Sequence, residues 1–147
     1  MGLAFKDAVA AIADTKDCYR PGLKALGPYS AKIKVSKPSA LNGSLFIEEC
    51  LINKYAGQNL WDYCLGYKNQ AYFVEVHPAQ TSEVETMLKK LNWLKSWLQN
   101  QAKPLDQIKA KKAFIWIASG KYAILPGSQQ YRRIIEARLK PQRELTL

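Results

Sequence analysis

Three consecutive stretches constrain this chain more than anything else in it. Residues 60–67 read L-W-D-Y-C-L-G-Y, residues 71–78 read A-Y-F-V-E-V-H-P, and residues 81–98 read T-S-E-V-E-T-M-L-K-K-L-N-W-L-K-S-W-L. The first two are apolar strand signals that each carry one carboxylate, and the third is the longest helical pattern in the chain. Side chains alternate across a strand, so Phe73, Glu75 and His77 share one face, and Asp62 shares a face with Cys64 and Gly66. If the two strands pair with those faces matched, Asp62, Glu75 and His77 converge on one polar patch. An unpaired carboxylate costs several kcal/mol, roughly, to bury in such a setting, so each acid calls for a partner or a cation. Taken singly, each residue has a plainer role: Asp62 capping backbone amides at a strand end, His77 marking where the strand stops before Pro78. Taken together, they suit a metal site, and a structural network of paired acids equally well.

The helix over residues 83–98 is predicted by Val84, Met87, Leu88, Leu91, Leu94 and Leu98 on one stripe, with Trp93 and Trp97 on another side. Ser82 is its expected N-cap, with Glu85 completing a capping box. Lys95 falls inside the apolar stripe, where snorkelling at the helix end accounts for it. Residues 3–13 suit a short amphipathic helix built on Leu3, Val9 and Ile12, and the Pro- and Gly-rich residues 14–29 a loop. Ala31–Val35 alternates as a half-exposed strand, and Asn42-Gly43 marks a turn. Leu45–Ile47 reads as extended, passing into a helix from Glu48 to Tyr55 that places Glu48 and Glu49 in its first turn. Residues 100–112 form a polar connection, Ala113–Ala118 a buried strand, Ser119-Gly120 a hairpin turn and Lys121–Leu125 a further strand. A basic helix through Tyr131, Ile134, Ile135 and Leu139 closes the chain.

With 147 residues, 48% of them apolar, one α/β domain spanning 1–147 is the expectation. No uncharged apolar run reaches the roughly 18 residues that a membrane span needs. Lys6 and Asp7 interrupt any secretion signal, and position 6 lacks the Ser or Thr of a myristoylation signal. Cys18, Cys50 and Cys64 are an odd, widely spaced set, read as reduced thiols of a cytoplasmic protein. The net charge of +10 is unevenly placed, with an acidic island over residues 48–85 between strongly basic flanks. That pattern suits a polyanion gripped by Lys and Arg while carboxylates hold a divalent cation against it, although a solvated Lys-rich surface produces the same sequence pattern.

The order helix, strand, strand, strand, long helix, strand, with Asp62 on one central strand and Glu75-x-His77 on the next, resembles the PD-(D/E)xK nuclease superfamily core over about residues 45–125. The chain also resembles a family of small, uncharacterised, mainly cyanobacterial proteins through Trp61-Asp62-Tyr63, Val74 to Ala79 and Thr81 to Leu98. The nuclease resemblance implies a restriction-endonuclease-like core, a mixed central sheet flanked by helices, with an N-terminal helix and loop and the C-terminal basic helix outside it. It implies that Asp62 and Glu75 hold Mg²⁺ or Mn²⁺, with Glu48 or Glu49 as a helical acid, and that a bound water attacks a phosphodiester of nucleic acid. His77 stands where that superfamily has Lys. A lysine migrated to the following helix is the substitute: at ~1.5 Å per helical residue against ~3.3 Å per strand residue, a helix starting near Glu83 returns to the site by about residue 90, which selects Lys90. Lys89 points further outward and Lys95 lies too far along. The competing expectation is a degenerate core that binds nucleic acid or a protein without cutting. A third places an exposed Trp93 and Trp97 face at a homodimer or partner interface.

Overall fold

The central element is a hairpin. β3 (Tyr63–Tyr67) and β4 (Gln70–Gln80) pair antiparallel, with Tyr63 opposite Val74 and Tyr67 opposite Gln70. Lys68 and Asn69 make the two-residue turn, both at positive φ (50° and 57°), as the hairpin turn that matches strand twist requires. Asn69 suits that conformation, and its side-chain oxygen accepts from the Phe5 N–H while its own N–H donates to Asn42 Oδ1. The computed structural model, which describes residues 4–147, adds β2 (Leu41–Phe46) antiparallel to β3 and β5 (Lys109–Ala123) parallel to β4. The sheet order is therefore β2-β3-β4-β5, a mixed four-stranded sheet. A parallel partner requires a crossover, supplied here by α3 (Val84–Asn100) and the short α4 (Lys103–Gln107).

Both faces of the sheet are buried, which is why its central strands read as near-continuous apolar runs. Cys64, Phe73 and Trp116 face one core, closed by α1 (Phe5–Ala10), α2 (Ile47–Leu51), α3 and α5 (Gln129–Glu136). Tyr63, Leu65, Val74, Ile115 and Ile117 face the other, covered by residues 24–35 and the C-terminal segment. A small parallel pair, β1 (Ile33–Lys34) with β6 (Leu145–Thr146), ties that cover together. The C-terminal segment also bonds the β5 edge, through Ala118 N–H to Gln142 O and Gln142 N–H to Trp116 O, which blunts an otherwise open edge. The chain is thus α/β, a mixed sheet flanked by helices in one domain.

Several local expectations are corrected. Ser82 does not cap α3; a 3-10 turn over Thr81–Glu83 leads in, Glu83 is the N-cap without a side-chain bond, and Glu85 pairs with Arg133. Ser119-Gly120 is no hairpin turn. β5 runs straight through it, with Gly120 at φ 75° absorbing a register shift opposite Pro78 and Ala79. Asn42-Gly43 likewise lies inside β2, where Gly43 (φ 127°) accommodates an irregularity opposite β3. The strand expected at Ala31–Val35 shrinks to β1, because 3-10 turns occupy Lys24–Lys32. Leu3, expected on the first helix, lies outside the described residues. Lys95 sits on the exposed side of α3, its Nζ 5.6 Å from the Phe114 ring centroid, so it does not interrupt the core.

The cysteines are also corrected. Cys18 and Cys50 form a disulfide with Cα atoms 6.1 Å apart, because the loop after α1 folds back beside α2. Cys64 alone stays a free thiol, and complete burial raises its pKa well above the ordinary value. The cystine removes the reduced-thiol support for a cytoplasmic protein, since disulfides rarely persist there. Among the described residues no helix is long and apolar enough to cross a membrane.

One close approach yields a test of the packing. A Cβ built on Gly66 would lie 2.4 Å from Phe5 Cγ, and Phe5 is fully buried under α1. Gly66→Ala is expected to cost about 1–3 kcal/mol in chemical denaturation. A loss within a few tenths would show that Phe5 and α1 yield freely, contrary to the packing described.

Candidate functional site

The hairpin register decides the site. Extending the Tyr63–Val74 pairing by one residue sets Asp62, just before β3, across from Glu75. Each acid is then held by the other strand's backbone: the Asp62 N–H donates to Glu75 Oε1 (2.9 Å), and the Val76 N–H donates to Asp62 Oδ2 (3.1 Å). The Asp62 carbonyl accepts the Ile47 N–H at 2.7 Å, which docks the start of α2 beside the pair. The plain role for Asp62, bonding a backbone amide at a strand end, is thus what the structure shows.

Glu75 is fully buried. Its Oε2 receives Lys90 Nζ from α3 at 2.6 Å, and His77 Nδ1 lies 3.4 Å away. The Lys90 side chain is only 14% exposed, so this is a buried ion pair rather than a surface one. Burial works against the ammonium, but the Glu75 carboxylate in contact outweighs it and holds the Lys90 pKa above the ordinary lysine value. His77 Nε2 lies 2.9 Å from Glu83 Oε1, so the imidazole bridges two carboxylates. Its bond to Glu75 raises the His77 pKa and favours the imidazolium. Trp116 orients the same residue by donating Nε1–H to the His77 carbonyl (2.9 Å).

Asp62 is the group out of balance. Burial first, then the charge of Glu75, push its pKa up to about 7, against the opposing pull of Lys90 and the Val76 N–H. No described donor meets its second oxygen, Oδ1. A carboxyl poised near neutrality, beside a fixed ammonium and a second carboxylate, can exchange a proton or accept a cation.

The structure thus brings together Asp62, Glu75, His77 and Lys90. Glu48, half-buried in the first turn of α2, lies close enough for its charge to act on Asp62 and Lys90. Glu49 is not brought to the pair; it lines a separate cavity with Asp17, Arg20, Lys24 and the Cys18–Cys50 bond. Glu83 and Trp116 escape the sequence reading. Only the short spacing from His77 hints at Glu83, and Trp116 reaches His77 through the parallel pairing of β5. Among the described residues no group of three or more His, Cys, Asp and Glu side chains is arranged to hold a metal ion. Asp62 and Glu75 supply hard oxygens of the kind Mg²⁺ takes, though both Glu75 oxygens already have partners, the Asp62 N–H and Lys90. Trp97 is buried and donates to Asp14 Oδ2, so the expected Trp93–Trp97 dimer face is not an exposed aromatic surface. Comparison with protein-family models, curated proteins and solved structures gives no match.

Proposed function

We propose that Asp62, Glu75 and Lys90 form the centre of a nuclease-type hydrolase that cleaves phosphodiester bonds in nucleic acid. The observation that supports this reading is the meeting of two carboxylates from paired strands with one ammonium from the crossover helix, Lys90 Nζ standing 2.6 Å from Glu75. Asp62, whose Oδ1 meets no described donor, and Glu75 would hold Mg²⁺ or Mn²⁺, with Glu48 on the flank. Such an ion, when bound, supplies Lewis-acid charge to the phosphoryl group and a water of lowered pKa. Lys90 places positive charge where negative charge grows on the phosphoryl oxygens, the role a lysine beside the acids plays in electrostatic catalysis. Glu75 fixes Lys90, and His77, held in turn by Glu83, reaches the same Glu75 oxygen. The net charge of +10 draws a polyanion to the molecule.

A second reading rests on the same contact. Glu75 Oε2 already receives Lys90 and His77, a state that satisfies the buried acid without a metal and suits a module that binds nucleic acid or protein without cutting. The two readings separate in one assay. With Mg²⁺ or Mn²⁺, wild type is expected to cleave single- or double-stranded DNA or RNA, and Asp62→Ala to lose at least about a hundredfold in rate while retaining its circular dichroism spectrum. Binding without divalent-dependent cleavage of any of these substrates leaves only the second reading.

A further inference from the structure

A groove opens between residues 55–58 and the second half of α3. Its cavity of about 200 Å³ is lined by Tyr55, Gln58, Trp93, Trp97, Asn100 and Gln101. Trp93 stacks on Trp97 with ring centroids 5.7 Å apart and planes within 10°, and Tyr55 meets Trp93 edge-on at 5.8 Å. The pair is held in place before any ligand arrives. Trp97 donates Nε1–H to Asp14 (3.0 Å), which also accepts from Tyr55 Oη and Lys54, and Trp93 donates to Gln58 Oε1 (2.8 Å). Around the rings stand side-chain amides, which carry donors and acceptors in the same group, as the edges of nucleobases do.

The position of the groove gives it meaning. Trp93 follows Lys90 by three residues on α3, about one helical turn, and Gln58 precedes Asp62 by four in the connecting segment. Both walls therefore belong to the segments that carry Lys90 and Asp62. Trp97 is buried, so the half-buried Trp93 is the ring a base would meet, and a base can lie on it only with its own face free, which a stacked duplex denies it. We propose that this groove is a nucleobase subsite, seating an unstacked base next to the phosphate held at the Asp62 centre, and that the substrate is single-stranded nucleic acid. The inference rests on the phosphodiester reading of that centre and adds the strandedness of the substrate.

The test reads binding apart from cleavage. In EDTA, a short labelled oligothymidylate is titrated by anisotropy and by quenching of tryptophan fluorescence, alongside a blunt duplex of mixed sequence. Wild type is expected to quench with the single strand and to bind it more tightly than the duplex. Trp93→Ala is expected to weaken single-strand binding about tenfold or more, with Trp93→Phe recovering most of it. Gln58→Ala, which leaves the Trp97–Asp14 bond in place, is expected to weaken it about threefold or more, and it carries the test if Trp93→Ala does not fold. Equal affinity of wild type and these variants, preference for the duplex, or no binding of the single strand overturns the subsite. A Trp93-dependent affinity without any divalent-dependent cleavage removes the hydrolase reading and leaves the base site. Cleavage that is indifferent to Trp93 and Gln58 does the reverse.

Discussion

Lys90→Met is expected to lower the free energy of unfolding by about 3–5 kcal/mol, the range for removing one partner of a buried ion pair. The loss arises from what stays behind. Glu75 is fully buried, and without the ammonium its Oε2 keeps only His77, 3.4 Å away. The double variant Glu75→Gln with Lys90→Met removes both charges while keeping an oxygen for the Asp62 N–H, and is expected to recover most of the loss. Denaturant titrations of the two single variants and the double variant close a thermodynamic cycle. A loss below about 1 kcal/mol for Lys90→Met would place the pair among weak surface contacts, contrary to its burial. A double variant no better than the sum of the single ones would mean that the charges do not depend on each other.

The second large effect runs the other way. Asp62→Asn is expected to stabilise the fold by about 2–4 kcal/mol at pH 8 and to change it little at pH 4. The folded-state pKa of Asp62, about 7, lies above the ordinary 3.8, so the folded protein binds this proton more tightly than the unfolded chain does. Ionisation therefore opposes folding. The contribution of the neutral acid is fully present below about pH 4, is lost as pH rises toward 7, and stays lost above. Asparagine resembles the neutral acid at every pH and keeps an oxygen for the Val76 N–H. Stability curves for both proteins across this range test the argument, and a variant less stable than wild type at pH 8 would refute it. Under the hydrolase proposed above, the same substitution is expected to abolish cleavage, the trade expected where a site is built from charge that the fold would rather not carry.

Much of the site is visible in the sequence because strand alternation is local. The period of two places Asp62 with Cys64 and Glu75 with Phe73 and His77, and the structure has Cys64 opposite Phe73 on one core face. The rise along a helix likewise selects Lys90 over Lys89 and Lys95. Other features depend on partners far along the chain. Ser119-Gly120 carries a turn signal, yet pairing with β4 keeps the strand going and leaves only a bulge. Ser82 has the composition of a cap, but a preceding 3-10 turn shifts the helix start, and the Thr81 side chain accepts from the Leu125 N–H instead. Trp97 reads as part of an outer aromatic stripe until Asp14, 83 residues away in sequence, takes its N–H.

The amino-acid order alone determined the alternation of the two acid-bearing strands, the long crossover helix and the lysine that returns to them, because each follows from backbone periodicity over a few residues. Tertiary structure alone decided that Cys18 meets Cys50, that Glu83 receives His77, that Glu49 turns away from the acid pair and that Trp93 and Trp97 wall a groove. Those contacts are set by register and crossover between distant segments, and no local period encodes them.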